Sequence, residues 1–183
     1  MADQLSIMNP MLTRCQQKTI CSQLGRVKLR LLYKASIHGF TGADFHQRCD
    51  THSPTVSVGF NASGYVFGGY TKQPFSQSGQ YVHDDQAFLF TFNGEKLLKY
   101  PVTGPANAVR MISNSGPYFG EALVLVNQSK AVFDIKTNYI ICQKTKSHID
   151  IFLKSFSPRW DVNIFINSVK LLYFLILLVN RNH

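Results

Sequence analysis

Histidines, carboxylates and thiols carry most acid–base, metal and redox chemistry, and in this chain few of them stand close together. The run Tyr81-Val-His-Asp-Asp85 sets one imidazole beside two carboxylates. In an active site His83 would serve as a general base, oriented by Asp84 or Asp85. The same residues also form a polar turn ahead of the apolar run Phe88–Phe92, and that structural reading is the preferred one. His38 and His46 flank a helix start, and His46 can face Asp50 four residues on. A surface hydrogen bond is expected there, rather than a base or a metal ligand. Cys49 closes the apolar stripe of the same helix and reads as a buried structural thiol, with no cation or helix N-terminus to activate it. The four cysteines, at 15, 21, 49 and 142, form no CxxC pair. No paired histidine spacing completes a zinc site. Glu121 precedes an apolar run and has no identifiable partner. Phe88, Phe90 and Phe92 alternate with Leu89 and Thr91, the pattern of a packed sheet face rather than of a stacking platform. No catalytic, cofactor-binding or metal-binding residue is expected.

The elements that must position these groups follow from periodicity. Residues 1–20 are polar and carry Pro10, which suggests a loose lead-in or a short helix. Arg26-Val-Lys-Leu-Arg-Leu-Leu alternates charge with apolar side chains and predicts a strand with one wet face, or a strand–helix junction. Thr41, three residues before Asp44, predicts a capped helix to about Cys49, with Phe40 and Phe45 as its hydrophobic staple. After Pro54 the period becomes two. Val56, Val58 and Phe60 predict a half-buried strand, and Tyr65–Tyr70 returns beside it, with Gly68-Gly69 marking a bulge or a close backbone approach. Asn93-Gly94 predicts a hairpin between Ala87–Phe92 and Lys96–Tyr100. Loops cover 71–83 and 101–117. Further strands are expected at Glu121–Val126, Ala131–Ile135, Tyr139–Cys142 and His148–Phe156. The sum is an α+β architecture, an antiparallel β-sandwich flanked by a few short helices.

Composition narrows the function classes. The chain has 183 residues, 45% hydrophobic and 16% charged, with 14 Phe and 8 Tyr, which excludes intrinsic disorder. Only two acids are Glu, as befits a protein with few exposed helices. The net charge is +9. Residues 1–61 carry seven cations and three acids, 62–128 four of each, and 129–183 eight cations and three acids. The excess is spread over both ends without a dense block or interleaved aromatics, so a nucleic-acid partner is not expected. The N-terminus shows no apolar core behind basic residues, so a cytoplasmic, reducing location with free thiols is expected, and the sequons at Asn61 and Asn127 read as turns.

The segment 162–179 stands apart. Leu171–Val179 is nine apolar residues long, and extension back to Val162 takes in Asn163, Asn167, Ser168 and Lys170. Spanning a bilayer takes about 20 mostly apolar residues. Three readings stay open: a helix docked on the domain or left exposed, a membrane tail anchor, and an abnormal terminus. The expected division is a lead-in at 1–23, one domain at 24–156 and an apolar tail helix at 157–183.

Five ordered motifs resemble the TLDc domain. They are Leu31-Leu-Tyr-Lys-Ala-Ser-Ile-His-Gly-Phe40, Asp44-Phe-His-Gln-Arg-Cys-Asp50 with Pro54-Thr-Val-Ser-Val, Gly64-Tyr-Val-Phe-Gly-Gly-Tyr-Thr71, Asp85-Gln-Ala-Phe-Leu-Phe-Thr-Phe92 and Gly116-Pro-Tyr-Phe-Gly120. Leu24-Gly25, Ile37-His-Gly-Phe40 and Ile149-Asp-Ile-Phe-Leu-Lys154 are most similar to the interferon-induced 44-like branch. The resemblance implies a two-sheet sandwich and a non-enzymatic role in innate immunity exercised through a protein partner. The wider family implies an alternative, oxidative-stress resistance through binding of vacuolar proton pump subunits. Two departures matter: the chain has no GxxxxGK[ST] phosphate loop, and Glu121-Ala-Leu-Val-Leu125 replaces the glycine-rich, Asp-containing run of the oxidation-resistance members.

Overall fold

The computed structural model describes residues 12–61, 64–120, 122–127, 130–134 and 171–181. The lead-in contains a helix, α1 (Arg14–Gln23). The Thr13 hydroxyl accepts from the Gln16 N–H at 3.0 Å, and the Gln16 side chain accepts from the Thr13 N–H at 3.1 Å. This reciprocal box satisfies two of the N–H groups that a helix start leaves open. At the other end Gly25 adopts φ +91°, and the N–H groups of Gly25 and Arg26 close onto the carbonyls of Ser22 and Cys21. That left-handed stop turns the chain into β1 (Val27–Lys34), where Lys28 and Arg30 are exposed as the alternation predicts.

After β1 come α2 (Ala35–His38), α3 (Gly42–Cys49), β2 (Thr55–Asn61), β3 (Val66–Thr71), β4 (Tyr81–Val82), β5 (Phe88–Asn93), β6 (Lys96–Pro101), β7 (Val109–Arg110), β8 (Tyr118–Phe119), β9 (Leu123–Asn127), β10 (Lys130–Asp134) and β11 (Leu171–Arg181). The main sheet has the order β1-β11-β2-β3-β5-β6, antiparallel throughout. A three-stranded sheet, β10-β9-β8, packs on one face, and β4 pairs with β7 in a third, small sheet. The hairpin at Asn93-Gly94 joins β5 to β6 as expected, with Gly94 at φ +60°. Mostly antiparallel strands with a few short helices make this an α+β fold. The strands expected at Tyr139–Cys142 and His148–Phe156 lie outside the described residues.

Two cores lie on opposite faces of the main sheet. The first joins Tyr33, Phe67, Leu89 and Ile176 to Phe45 and Cys49 of α3 and to Phe119, Leu123 and Leu125 of the second sheet. The second gathers Val56, Val58, Tyr70, Phe88, Phe90, Phe92, Leu175 and Leu177 with Leu12 and Ile20 from the α1 side. The expectation of a half-buried β2 is therefore corrected. Thr55 and Ser57, read as the wet face, are fully buried at 0% exposure because the sheet is covered on both sides. Gly68 and Gly69 do not form a bulge; the ladder runs regularly through Gly68↔Phe90 and Gly69↔Leu89. The close approach is real. A Cβ on Gly68 would strike the Ser57 carbonyl and the Phe90 ring, and one on Gly69 would lie 2.7 Å from the Phe119 ring on the other face. Adjacent glycines thus admit one aromatic ring from each core.

The largest correction concerns the tail. Leu171–Arg181 is a strand, not a helix, and it lies between β1 and β2. Its register runs Val27↔Arg181 to Lys34↔Leu175 on one side and Leu171↔Asn61 to Leu178↔Thr55 on the other. Ile176 enters the first core, while Leu175, Leu177 and Val179 enter the second. A strand buried on both faces needs apolar side chains at odd and even positions alike, which is why the run lacks a two-residue period. No helix among the described residues is long and apolar enough to cross a membrane.

Burying these four side chains contributes about 1.5–3 kcal/mol each, or roughly 6–12 kcal/mol together. That is comparable to the whole stability of a typical domain, about 5–15 kcal/mol. A chain ending at Lys170 is accordingly expected to lose its cooperative thermal transition and to aggregate on expression. Circular dichroism melting of the truncated and full chains checks this. A truncated chain that melts within a few degrees of the full one contradicts it.

Candidate functional site

The α3 helix carries two connected polar groups, its cap and a histidine. Thr41 caps it: its hydroxyl accepts from the Asp44 N–H at 3.1 Å, while the Asp44 carboxylate accepts from the Thr41 N–H at 3.0 Å and from its hydroxyl at 2.7 Å. These bonds hold the Asp44 carboxyl below the usual carboxylate range. A depressed carboxylate stabilises the fold above the ordinary carboxylate pKa, and its contribution is lost as pH falls through the folded value. Gly42, Phe45, His46 and Cys49 are the buried residues of the helix, spaced as a single stripe. The stripe meets residues 112–116. A Cβ on Gly42 would collide with the Asn114 backbone, and one on Gly116 would lie 2.6 Å from the Phe45 ring.

His46 ties this contact together. Its Nδ1 lies 2.7 Å from Asp50 Oδ1, and its Nε2 lies 2.7 Å from the Ile112 carbonyl and 3.2 Å from that of Ser115. Carbonyl and carboxylate oxygens only accept, so the ring makes bonds at both nitrogens when each carries a proton. Asp50 Oδ2 in turn accepts from the Gln77 side chain at 3.0 Å, and the Thr51 N–H donates to the Phe75 carbonyl. One buried imidazole therefore joins α3, the 73–80 loop and the 112–115 loop. The His46–Asp50 pairing matches the sequence reading, but its place does not. The residue is 4% exposed, so the expected surface hydrogen bond is a buried clasp.

The other candidates are held apart. His83 and Asp85 are exposed, whereas Asp84 is 2% exposed and points inward. Its carboxylate accepts from the Thr71 hydroxyl and the Lys72 N–H, both at 2.7 Å, and from the Gln86 N–H at 2.9 Å. Asp84 is the anchor of the turn into β5 and has no acceptor capacity directed at His83. His38 Nδ1 accepts from the Lys34 N–H at 3.0 Å, and burial, then the Arg48 cation, lowers its pKa and keeps that acceptor unprotonated. Phe88, Phe90 and Phe92 lie in the second core, as packed residues. Glu121 lies outside the described residues. Among the described residues, no three His, Cys, Asp or Glu side chains come together to hold a metal ion.

The thiols sort by environment. Burial, with the Asp50 charge adding to it, pushes the Cys49 thiol far up, and burial raises that of Cys21. Cys15 is exposed, and a hydrogen bond to Glu95 is the main cause of its raised pKa.

One group carried no signal in the sequence. β4 and β7 are two residues each, too short to show a period, yet they set Tyr81 opposite Arg110. The Arg110 guanidinium lies 5.1 Å from the centre of the Tyr81 ring and 5.9 Å from that of Tyr118. Beneath it, Val109, Met111 and Phe119 are buried in the first core.

Two outcomes are expected from this geometry. His46→Ala strands a carboxylate and two carbonyls, which costs about 2–4 kcal/mol and lowers Tm by roughly 5–12 °C. His46→Gln, which keeps one amide donor, falls between; equal Tm values for wild type and His46→Ala contradict the clasp. In alkylation with mass-spectrometric readout, Cys15 is modified in the native state and Cys49 only after denaturation. Native-state labelling of Cys49 contradicts the burial.

Comparison with known proteins bears on what this fold is. The sequence pattern of the TLDc domain matches residues 1–163. The chain is 29% identical over 89 residues to interferon-induced protein 44 of Homo sapiens, covering 49% of this chain and 19% of that protein. It is 31% identical over 62 residues to the MTOR-associated protein MEAK7 of Danio rerio, covering 34% of this chain and 14% of that protein. The chain thus spans less than a fifth of the length of the curated relatives it matches. The pattern matches most of the sequence, and the sheet architecture is the α+β one that the resemblance implied; the chain belongs to the TLDc domain family.

Proposed function

We propose that the chain is a non-enzymatic TLDc interaction module, cytoplasmic, which acts in innate immunity by binding a protein partner. The observation that carries this reading is the TLDc match over residues 1–163, together with the similarity to a relative named for induction by interferon. The placement of the reactive groups is consistent with it. His46 is occupied by three oxygen acceptors, Asp84 is buried on backbone and hydroxyl donors, and Cys49 is sealed in the core, so these three groups are used in holding the fold, while the exposed His83 is separated from the buried carboxylate of Asp84. The apolar side chains of β11 at 175–177 and 179 are likewise buried inside the sheet, so this run serves the fold rather than a membrane.

The test is affinity purification of the full chain from cells with and without interferon, read by quantitative mass spectrometry. Induction of the transcript and enrichment of the same protein partner in replicate purifications are expected. Stoichiometric recovery of vacuolar proton pump subunits, with no change on interferon treatment, overturns the immune reading in favour of the alternative.

A further inference from the structure

The outer side of the small β4–β7 sheet brings two tyrosines and an arginine together. Tyr81 is 37% exposed, and Arg110 and Tyr118 beside it are partly exposed. The guanidinium carbon lies over both phenol rings, 5.1 Å from the centre of Tyr81 and 5.9 Å from that of Tyr118, and its Nε is buried without a hydrogen-bond partner among the described residues. No carboxylate pairs with Arg110 among those residues. Asp84, the nearest acid to β4 in sequence, is turned inward onto Thr71, Lys72 and Gln86, and the exposed Asp85 lies four residues beyond Tyr81. The platform beneath is anchored. Val109 is fully buried, Met111 and Phe119 are each 1% exposed, and the backbone of Met111 bonds to Gln80 and Gly79, just ahead of β4.

A guanidinium held against two aromatic rings has already lost much of its rotamer freedom, so less is lost when it binds a ligand. With Nε buried, the two terminal nitrogens of the planar guanidinium are the ones that match a carboxylate. Tyr and Arg are also the residue types on which interface energies concentrate. A nucleic acid needs several cations along a track, whereas this site offers one cation in a region, 62–128, whose charges cancel. We propose that Tyr81, Arg110 and Tyr118 form the contact surface for an acidic, Asp/Glu-bearing segment of a protein partner. A partner carboxylate pairs with Arg110, and flanking side chains pack on the two rings. The inference rests on the protein-binding reading above and names the surface that serves it.

The test uses the full chain and a fluorescein-labelled decapeptide of alternating Glu and Ser, followed by anisotropy, with the Gln/Ser peptide as control. Saturable binding of the Glu peptide alone is expected. Arg110→Gln should weaken it about tenfold or more. Arg110→Lys, which lacks the planar fork, should not restore it. Tyr81→Ala should weaken it several-fold, with all three variants melting as wild type does. Lys28→Gln, at an exposed position of β1, should leave binding unchanged. Three results overturn the proposal: no binding of the Glu peptide, equal binding of the Gln/Ser peptide, or equal losses from Lys28→Gln and Arg110→Gln, which would mark diffuse attraction to a basic protein. A partner purified equally well by wild type and Arg110→Gln also sinks this surface while leaving the module reading intact. Failure of wild type to hold any partner counts against both.

Discussion

The main sheet depends on one strand. β11 is the only described partner of β1 and the only element between β1 and β2, so the first strand after the N-terminal helix is bonded to the rest of the sheet through the last eleven described residues. Both edges of β11 are paired and both faces are covered, which leaves no position for a polar side chain at Leu175, Ile176 or Leu177. The same two-sided burial explains several other features. β2 tolerates Thr55 and Ser57 only as small, fully enclosed hydroxyls, and β3 uses two glycines in succession because an aromatic ring arrives from each side. The two cores are not independent, since they share the backbone of one sheet.

On that sheet the chemistry-bearing residues act as fasteners. Three segments without regular structure, at 73–80, 84–86 and 112–115, each bond to the body through a polar side chain, besides backbone contacts such as that of Phe75 with Thr51. Asp84 serves the second, and the His46–Asp50 pair serves the first and third. Buried groups of this kind are costly when half satisfied and specific when fully satisfied. Here both nitrogens of His46 and both oxygens of Asp84 are bonded. The loops fixed in this way flank β4 and β7, which carry Tyr81 and Arg110. The fold thus leads from sheet, to clasp, to an aromatic–cation surface on β4 and β7.

Much of this was legible in the residues. The Thr41/Asp44 box, the Phe40 and Phe45 staple, the Asn93-Gly94 hairpin and the alternation of Lys28 and Arg30 all depend on neighbours within four positions, so a local pattern suffices. The TLDc motifs fixed the family in the same way. What escaped depends on long-range burial. A nine-residue apolar run reads equally as a buried helix or a doubly covered strand, and only its sheet neighbours distinguish the two. His46 looked like a surface residue because its two carbonyl partners lie 66 and 69 positions away. Tyr81 and Arg110 meet across strands of two residues, below the length at which a period can be seen.

Amide hydrogen exchange across Leu171–Arg181 tests the central role of β11 most directly. A strand bonded along both edges exchanges only through large-scale opening. Peptides covering these residues are therefore predicted to exchange as slowly as those covering Thr55–Asn61 of β2. Exchange of Leu171–Arg181 within seconds, with β2 still protected, would contradict the account.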